Sequence, residues 1–435
     1  MKKLILICLS TLTIFVTSSC GTSQPNVQKL NESKNSIVDN QNDQVEKKEE
    51  VKGVSDIKPP VEIQLTAVGD ILIHAAQLRA HYNKNTNKYD FHNDFKFVKS
   101  YIEKADFAIT NIETTFGGEE TKFTGYPTFN SPDELADALK NTGFDGISTA
   151  SNHILDRGEI GFFRTLNVLK EKNFINLGSR ADEKVPAFSV VDIKGIKVGM
   201  TAFVYETPTQ GNHKTLNAIP IPKSMTNLIN TFDYNNLEAE YLEMKSIINK
   251  MKDQKCDVIL FEMHWGEEYQ RQPNRYQKEI AQKLSDFGVD IIFASHPHVL
   301  QPIEFVKSSV SGKDTLVAYS MGNFVSNQRY ELLPNQKRYT EDGLIVNARI
   351  RKDFEKEQTT IVEASYIPTW VNLYKENGKD IYEIVPLNDA LLNPEAYNLK
   401  DKQTIWRANN SKNNTVSLMK QDTDKLHIES PQENK

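Results

Sequence analysis

Five apolar runs of strand character end, each on its C-terminal side, in residues able to bind a metal, and that recurrence limits the folds open to this chain. The clearest is Ile291 to Pro302, IIFASHPHVLQP, where β-forming apolar residues stop at His296-Pro297-His298. A buried strand that delivers imidazoles at i and i+2 sets both rings on one side. Neutral imidazole suits zinc, manganese or iron. The other runs are IQLTAVGD closing at Asp70, DFAITNIET carrying Asn111 and Glu113, DGISTASN leading to Asn152 and His153, and CDVILFEMHW reaching His264.

Between these runs lie amphipathic segments: FKFVKSYIEK, PDELADALKNTG, GFFRTLNVLKEKN, LEAEYLEMKSIINKMKD and RYQKEIAQKLSDFG. Apolar strands alternating with such helices predict an α/β domain built on a largely parallel sheet covered on both faces. After Gly343 the pattern changes to LIVNARIR and TTIVEASYIPTWV, which reads as an antiparallel hairpin capping the same domain. Ligands of open α/β sheets bind outside the carboxyl ends of the strands. The polar strand ends therefore point to one site.

Each polar cluster has a plainer reading on its own. A strand-end Asp closes turns and caps helices, and an Asn followed by a surface His does the same. Taken together, Asp70, Glu113, Asn152, His264, His296 and His298 form a ligand set for one or two divalent ions, manganese, zinc or iron. Two ions roughly 4 Å apart clamp a phosphoryl group and supply hydroxide near neutral pH. A carboxylate such as Glu113 could bridge them. His153 and Asp156 are the catalytic candidates, with His153 as acid or relay. Asn111, Arg157, Trp265 and Asn323 are candidate substrate contacts, and Arg271, Arg275 and Arg329 are further cations near the motif loops. Ser320 to Phe324 forms a strand-end loop whose backbone N–H groups could meet an anion. No GxSxG elbow, Walker A loop or GxGxxG turn offers a rival chemistry.

The 435 residues are 25% charged and 38% hydrophobic, enough for a sizeable core and in length for two or three domains. A net charge of −6 argues against a nucleic-acid binder, which would carry a basic stripe. Lys2 and Lys3 followed by the apolar Leu4 to Val16 read as an export signal over residues 1–20. Thr17-Ser-Ser-Cys20 resembles a bacterial lipobox at which Cys20 is lipidated, with Thr17 where Leu is usual. Cys256 is then the lone cysteine of the mature body apart from the anchor, which leaves no internal disulfide. Residues 21–58 are polar and aperiodic and predict a disordered tether spanning roughly 35 Å. The folded domain is expected over 59–408, with a frayed polar tail over 409–435.

Taken in order, AVGDILIH, TNIETTF, STASNHILDRG, EMHWGEEY, ASHPHVLQP and YSMGNF resemble the bacterial CapA family of poly-γ-glutamate capsule-synthesis proteins, over about Glu62 to Phe324. That family is similar in turn to the calcineurin-like metallophosphoesterases, which implies a four-layer α/β/β/α sandwich with a two-metal centre. The resemblance matches Asp70 to the first-strand aspartate, Asn152-His153 to the Asn-His pair, His264 to the lone strand-end histidine and His296-Pro-His298 to the closing His-x-His. It places Glu113 where a bridging carboxylate is expected and makes His153 the leaving-group acid, near the metals without ligating them. One departure stands out. The phosphoesterases begin with Asp-x-His, whereas Leu72 follows Asp70 by two and the next histidine is His74. One metal therefore lacks an imidazole unless His74 or a water replaces it, and hydrolytic activity does not follow from the motifs. The resemblance implies a protein anchored in the membrane through Cys20, on its extracellular face, working with membrane subunits of a polymer synthesis and export complex on an anionic polymer. An exported metal-dependent phosphoesterase and a metal-free polymer-binding scaffold are the alternatives.

Overall fold

The computed structural model describes residues 58–210, 213–333, 338–419 and 424–432. The export signal, Cys20 and nearly all of the expected tether lie outside the described residues. No helix among the described residues is long and apolar enough to cross a membrane.

Two sheets carry the fold. The first runs, from one edge, Lys379–Pro386, Gln358–Glu376, Asp342–Asp353, Val61–Ile71, Phe107–Ile112, Gly146–Ser148, Ile175–Leu177. Its last four strands are parallel to one another, and the first three are antiparallel to their neighbours. The second runs Thr231–Phe232, Ile196–Tyr205, Val258–His264, Ile291–Ser295, Asp314–Met321, Leu300–Lys307, parallel except at the Leu300–Lys307 edge. The parallel strands are thus divided between two sheets. The antiparallel hairpin expected after Gly343 forms, and rather than capping the domain it supplies two adjacent strands of the first sheet, with Asp342–Asp353 bonded directly to the central Val61–Ile71 strand.

Strand alternation sorts the side chains into layers. Leu65, Ala67 and Ile109 of the first sheet meet Met200, Leu260, Phe293 and Leu316 of the second in one core between the sheets. On the outer face of the first sheet, Val68, Ala108 and Ile112 pack on Leu135 and Leu139 of helix Glu134–Thr142 and on Leu169 of helix Gly158–Glu171. On the outer face of the second, Phe203, Phe261 and Ile292 pack on Tyr241, Met244 and Ile248 of helix Leu237–Asp253 and on Ile280 and Leu284 of helix Arg275–Phe287. The order is helix, sheet, sheet, helix. Each sheet hides one face under helices and the other against its partner.

The expected frayed tail is corrected by the structure. Residues Lys402–Leu418 form a helix whose N-cap, Asp401, accepts hydrogen bonds from the N–H groups of Gln403 and Thr404 at 2.8 and 2.9 Å. It buries Ala408, Ser411 and Thr415, small residues three and four apart that leave no apolar stripe to read in the sequence. Leu426–Ile428 then adds a short parallel strand beside Ala364 to Tyr366. The FKFVKSYIEK segment, expected as one amphipathic helix, contributes only the short helix Lys99–Ile102 after the separate His92–Phe95 turn.

Candidate metal centre

The strand ends of both sheets meet at one edge of the shared core. In the first sheet Ile109, Asn111 and Glu113 alternate inward from Phe107–Ile112 and the residue after it. In the second, Val258, Leu260, Glu262 and His264 do the same. Asp70 reaches this face by a different route. Alternation from Ile63, Leu65 and Ala67 would turn residue 70 outward, but the register shifts between Val68 and Asp70. That bulge moves Asp70 inward and Ile71 onto the outer face. His296 and His298 come from a loop beyond the end of their strand at Ser295. Both have left-handed backbone, φ +98° and +57°. The i, i+2 strand alternation expected of the pair is therefore corrected: local backbone strain, not pleating, aims the rings.

The side chains form two groups that share Glu113: Glu113, His264 and His296, and Asp70, Glu113 and His298. Glu113 Oε1 lies 3.7 Å from His264 Nε2, and its Oε2 lies 3.6 Å from His298 Nδ1. Asp70 Oδ2 is also 3.6 Å from His298 Nδ1. Asn152 Oδ1 is 2.8 Å from His264 Nε2, which places its carbonyl in the first group. His153 points Nε2 toward Glu113 at 4.0 Å, while its Nδ1 is held 2.7 Å from Asp156 Oδ2. Asp156 also accepts the Phe129 N–H, so the dyad is anchored to the neighbouring loop.

Both oxygens of the fully buried Glu113 have no hydrogen-bond partner, and neither does His296 Nδ1. A buried carboxylate with no hydrogen-bond donor is costly, and a cation at its oxygens relieves that cost. Burial pushes the Glu113 carboxyl well up, with Asp70 adding to the effect and His298 opposing it. Burial and the neighbouring imidazoles hold His264 and His296 well below the ordinary histidine value, so both are neutral donors. Burial also pulls His298 down, but the carboxylates of Glu113 and Asp70 outweigh it and raise its pKa to about 10. The donor set fits divalent cations, with His298 holding a proton that an ion must displace. Manganese affinity is therefore expected to rise with pH, by up to about tenfold per unit from pH 6 to 9, because base removes the competing proton. Calorimetric titration at three pH values measures this, and a flat profile would contradict it.

The other residues expected at the site divide. Asn111 donates from Nδ2 to Asp70 Oδ1 at 2.8 Å, and the Asn323 carbonyl sits 3.0 Å from His298 Nδ1. Both are buried, bonded to candidate metal ligands, and neither lines the cavity above them. Trp265 is fully buried on the opposite face from His264, its indole N–H donating to Tyr319 O. It does not line the cavity above the histidines. Arg157 is spent on the Asp156, Thr124 and Thr128 oxygens. Arg329 is buried against Glu341, Arg271 stacks on Tyr339, and Arg275 stacks on Tyr276. None of the four lines the cavity above the centre. That cavity, about 520 Å³, is lined instead by Leu72, His74, Phe129, His153, Tyr269 and His298 among others. His74 belongs to neither ligand group. Burial and then His298 bring its pKa down to about 4, and its Nδ1 accepts the Asn327 N–H at 3.3 Å. Glu262, which the sequence reading passed over, lies beneath the ligands. It accepts a hydrogen bond from Ser148 Oγ at 2.6 Å, and burial raises its pKa to about 8.

The fold is a helix–sheet–sheet–helix sandwich with a histidine–carboxylate cluster at its strand ends whose two groups could hold metal ions. Residues 64–328 match the family model described as bacterial capsule synthesis protein PGA_cap, more than half the chain, and the chain belongs to that family. It is 25% identical over 375 residues to a capsule biosynthesis protein CapA of Bacillus anthracis, covering 84% of this chain and 77% of that one. It is 26% identical over 310 residues to a PGA biosynthesis protein CapA of Bacillus subtilis (strain 168), covering 69% and 72%. Among solved structures, the calcineurin-like phosphoesterase YfkN from Bacillus subtilis aligns at 15% identity with a TM-score of 0.38, over 82% of this chain and 99% of that one. A phosphatase from Mycoplasma pneumoniae aligns at 14% identity with a TM-score of 0.39, over 71% and 93%.

Proposed function

We propose that this chain is a lipid-anchored protein on the extracellular face of the cell membrane that handles poly-γ-glutamate, or a similar anionic polymer, during synthesis, export or wall attachment, through a divalent-metal centre. Family membership supports the polymer. The observation that carries the metal centre is Glu113, buried with neither oxygen hydrogen-bonded and shared by the two ligand groups. One ion would be held by Glu113, His264, His296 and Asn152, a second by Asp70, Glu113 and His298. Bound there, such ions supply Lewis acidity and an activated water. Asn111 holds Asp70, and Asn323 holds His298, each fixing a ligand from outside the set.

The His153–Asp156 dyad favours hydrolysis as the reaction of this centre. Asp156 fixes the ring so that Nε2 faces Glu113, a position from which a proton can be given to a leaving group. The test is metal content and turnover of p-nitrophenyl phosphate mono- and diesters with manganese, for the full chain and for His296→Ala/His298→Ala. Metal is expected near stoichiometric in the native chain and below about a tenth of that in the double variant, with turnover lost alongside. Equal metal in both would end the metal reading. Metal without turnover would leave a metal-stabilised polymer-binding site. The anchor is tested separately: Cys20→Ala is expected to release the protein from the membrane fraction into the medium. Retention at native level would contradict anchoring through Cys20.

A further inference from the structure

The cavity above the metal centre has an unusual electrostatic make-up for a site that meets a polyanion. Among the described residues that line it there is no lysine or arginine, and there is one carboxylate, Glu268. Its neutral walls include Leu72, Tyr126, Phe129 and Leu332. His74 is neutral at physiological pH. Positive charge on this cavity's floor would come from cations held by the two ligand groups.

Glu268 is held in place by a strained segment. Tyr269 has φ +67°, costly for an aromatic residue. In that conformation its N–H donates to Pro297 O at 2.8 Å, and its ring packs 6.0 Å from His298. The Tyr269 side chain also hydrogen-bonds Glu268. The loop that aims the histidines thus also fixes a carboxylate over them, close enough to bear on both Glu113 and His298.

A cationic floor with one fixed carboxylate on its wall matches a ligand carrying an acid and an amine side by side. A γ-linked glutamate chain has that pairing at one place. Internal residues present an α-carboxylate beside an amide nitrogen, whereas the amino-terminal residue presents an α-carboxylate beside a free α-ammonium. We infer that the cavity reads the free amino terminus of the polymer, with the terminal α-carboxylate on the metal floor and the α-ammonium on Glu268. This rests on the polymer reading above and narrows it from the chain to its end. Glu268 is then a specificity-determining residue, and no lysine or arginine among the described wall residues competes with it for the terminal residue's charges.

The test is calorimetric binding to the manganese-loaded full chain of a γ-glutamyl trimer, the same trimer N-acetylated, and a long γ-glutamate polymer, for native protein and Glu268→Gln. The native protein is expected to bind the free trimer about three- to fivefold more tightly than the acetylated one, one exposed charge pair's worth of discrimination. Glu268→Gln is expected to erase that difference with manganese content unchanged. Equal binding of the two trimers by the native protein would overturn the inference while leaving the polymer reading in place. So would tighter binding of both by Glu268→Gln, which would make Glu268 a repulsive gate. Failure of trimers and polymer alike to bind would overturn both.

Discussion

Glu113→Gln is expected to make the metal-free protein more stable while abolishing its metal binding. In the native chain the Glu113 carboxyl is fully buried with neither oxygen hydrogen-bonded, and burial pushes its pKa well up. A raised carboxyl pKa means the native state holds its proton more tightly than the unfolded chain does. Stability from this group is then lost as pH rises above the unfolded value of about 4.3, until the folded value is reached. Glutamine cannot ionise, so its advantage should grow over that window and amount to about 1–3 kcal/mol at neutral pH. His298 keeps an acidic partner in Asp70 at 3.6 Å, so the substitution does not strand a second charge. Manganese affinity should fall by more than about a hundredfold, because both ligand groups lose their shared carboxylate. Urea melts of chelated protein at pH 5 and pH 8, paired with metal titration, measure both effects. A variant that is less stable at both pH values would show that Glu113 is structurally satisfied and that the metal reading is misplaced.

The same chemistry explains which parts of the site could be read from the sequence. His264, Glu113 and Asn111 were legible because strand period two puts them on one face, and that face is the intersheet side. Trp265 could have been rejected by the same rule, since a neighbour of His264 in a strand must point the other way, and it does so into the outer core. The arginines were not legible. Proximity in sequence to a motif says nothing about whether a guanidinium is already engaged, and Arg329 is engaged with Glu341 inside the protein. His296 and His298 were found for a reason that does not hold. Their rings converge through two left-handed residues after the strand has ended, a conformation that carries no sequence signature in histidine. Glu268 was hidden because its role is set by the strained Tyr269 beside it. The layers of the fold were legible from alternation. The division of the parallel strands into two sheets was legible only through the family resemblance and its four-layer sandwich, because the segment Ser189–Tyr205 that opens the second sheet looks locally like any other strand pair.

Asp70 depends on a residue with no side chain. A Cβ built on Gly69 would lie 1.9 Å from the carbonyl oxygen of Gly322 and 2.9 Å from that of Met321, both backbone atoms. The closeness has a purpose in the geometry, because Asp70 N–H donates to that same Gly322 oxygen at 2.9 Å. The register shift at this point is also what turns Asp70 from the outer face to the intersheet face. Gly69→Ala must therefore either push the Met321–Asn323 backbone away or straighten the bulge. The first displaces Asn323, which sits on His298, and the second turns Asp70 away from its group. Both outcomes cost stability and metal together. The expected loss is about 3 kcal/mol or more, as for overpacking against backbone that cannot rotate aside. Gly378→Ala is the control, because its φ of +77° carries conformational strain but its Cβ would meet nothing within 4 Å. Its expected cost is about 1 kcal/mol with metal content unchanged. Chemical denaturation and metal content of the two variants separate the cases. Native-like metal in Gly69→Ala would mean that Asp70 is not a ligand, because no arrangement with a methyl at position 69 keeps the bulge and the loop where they are.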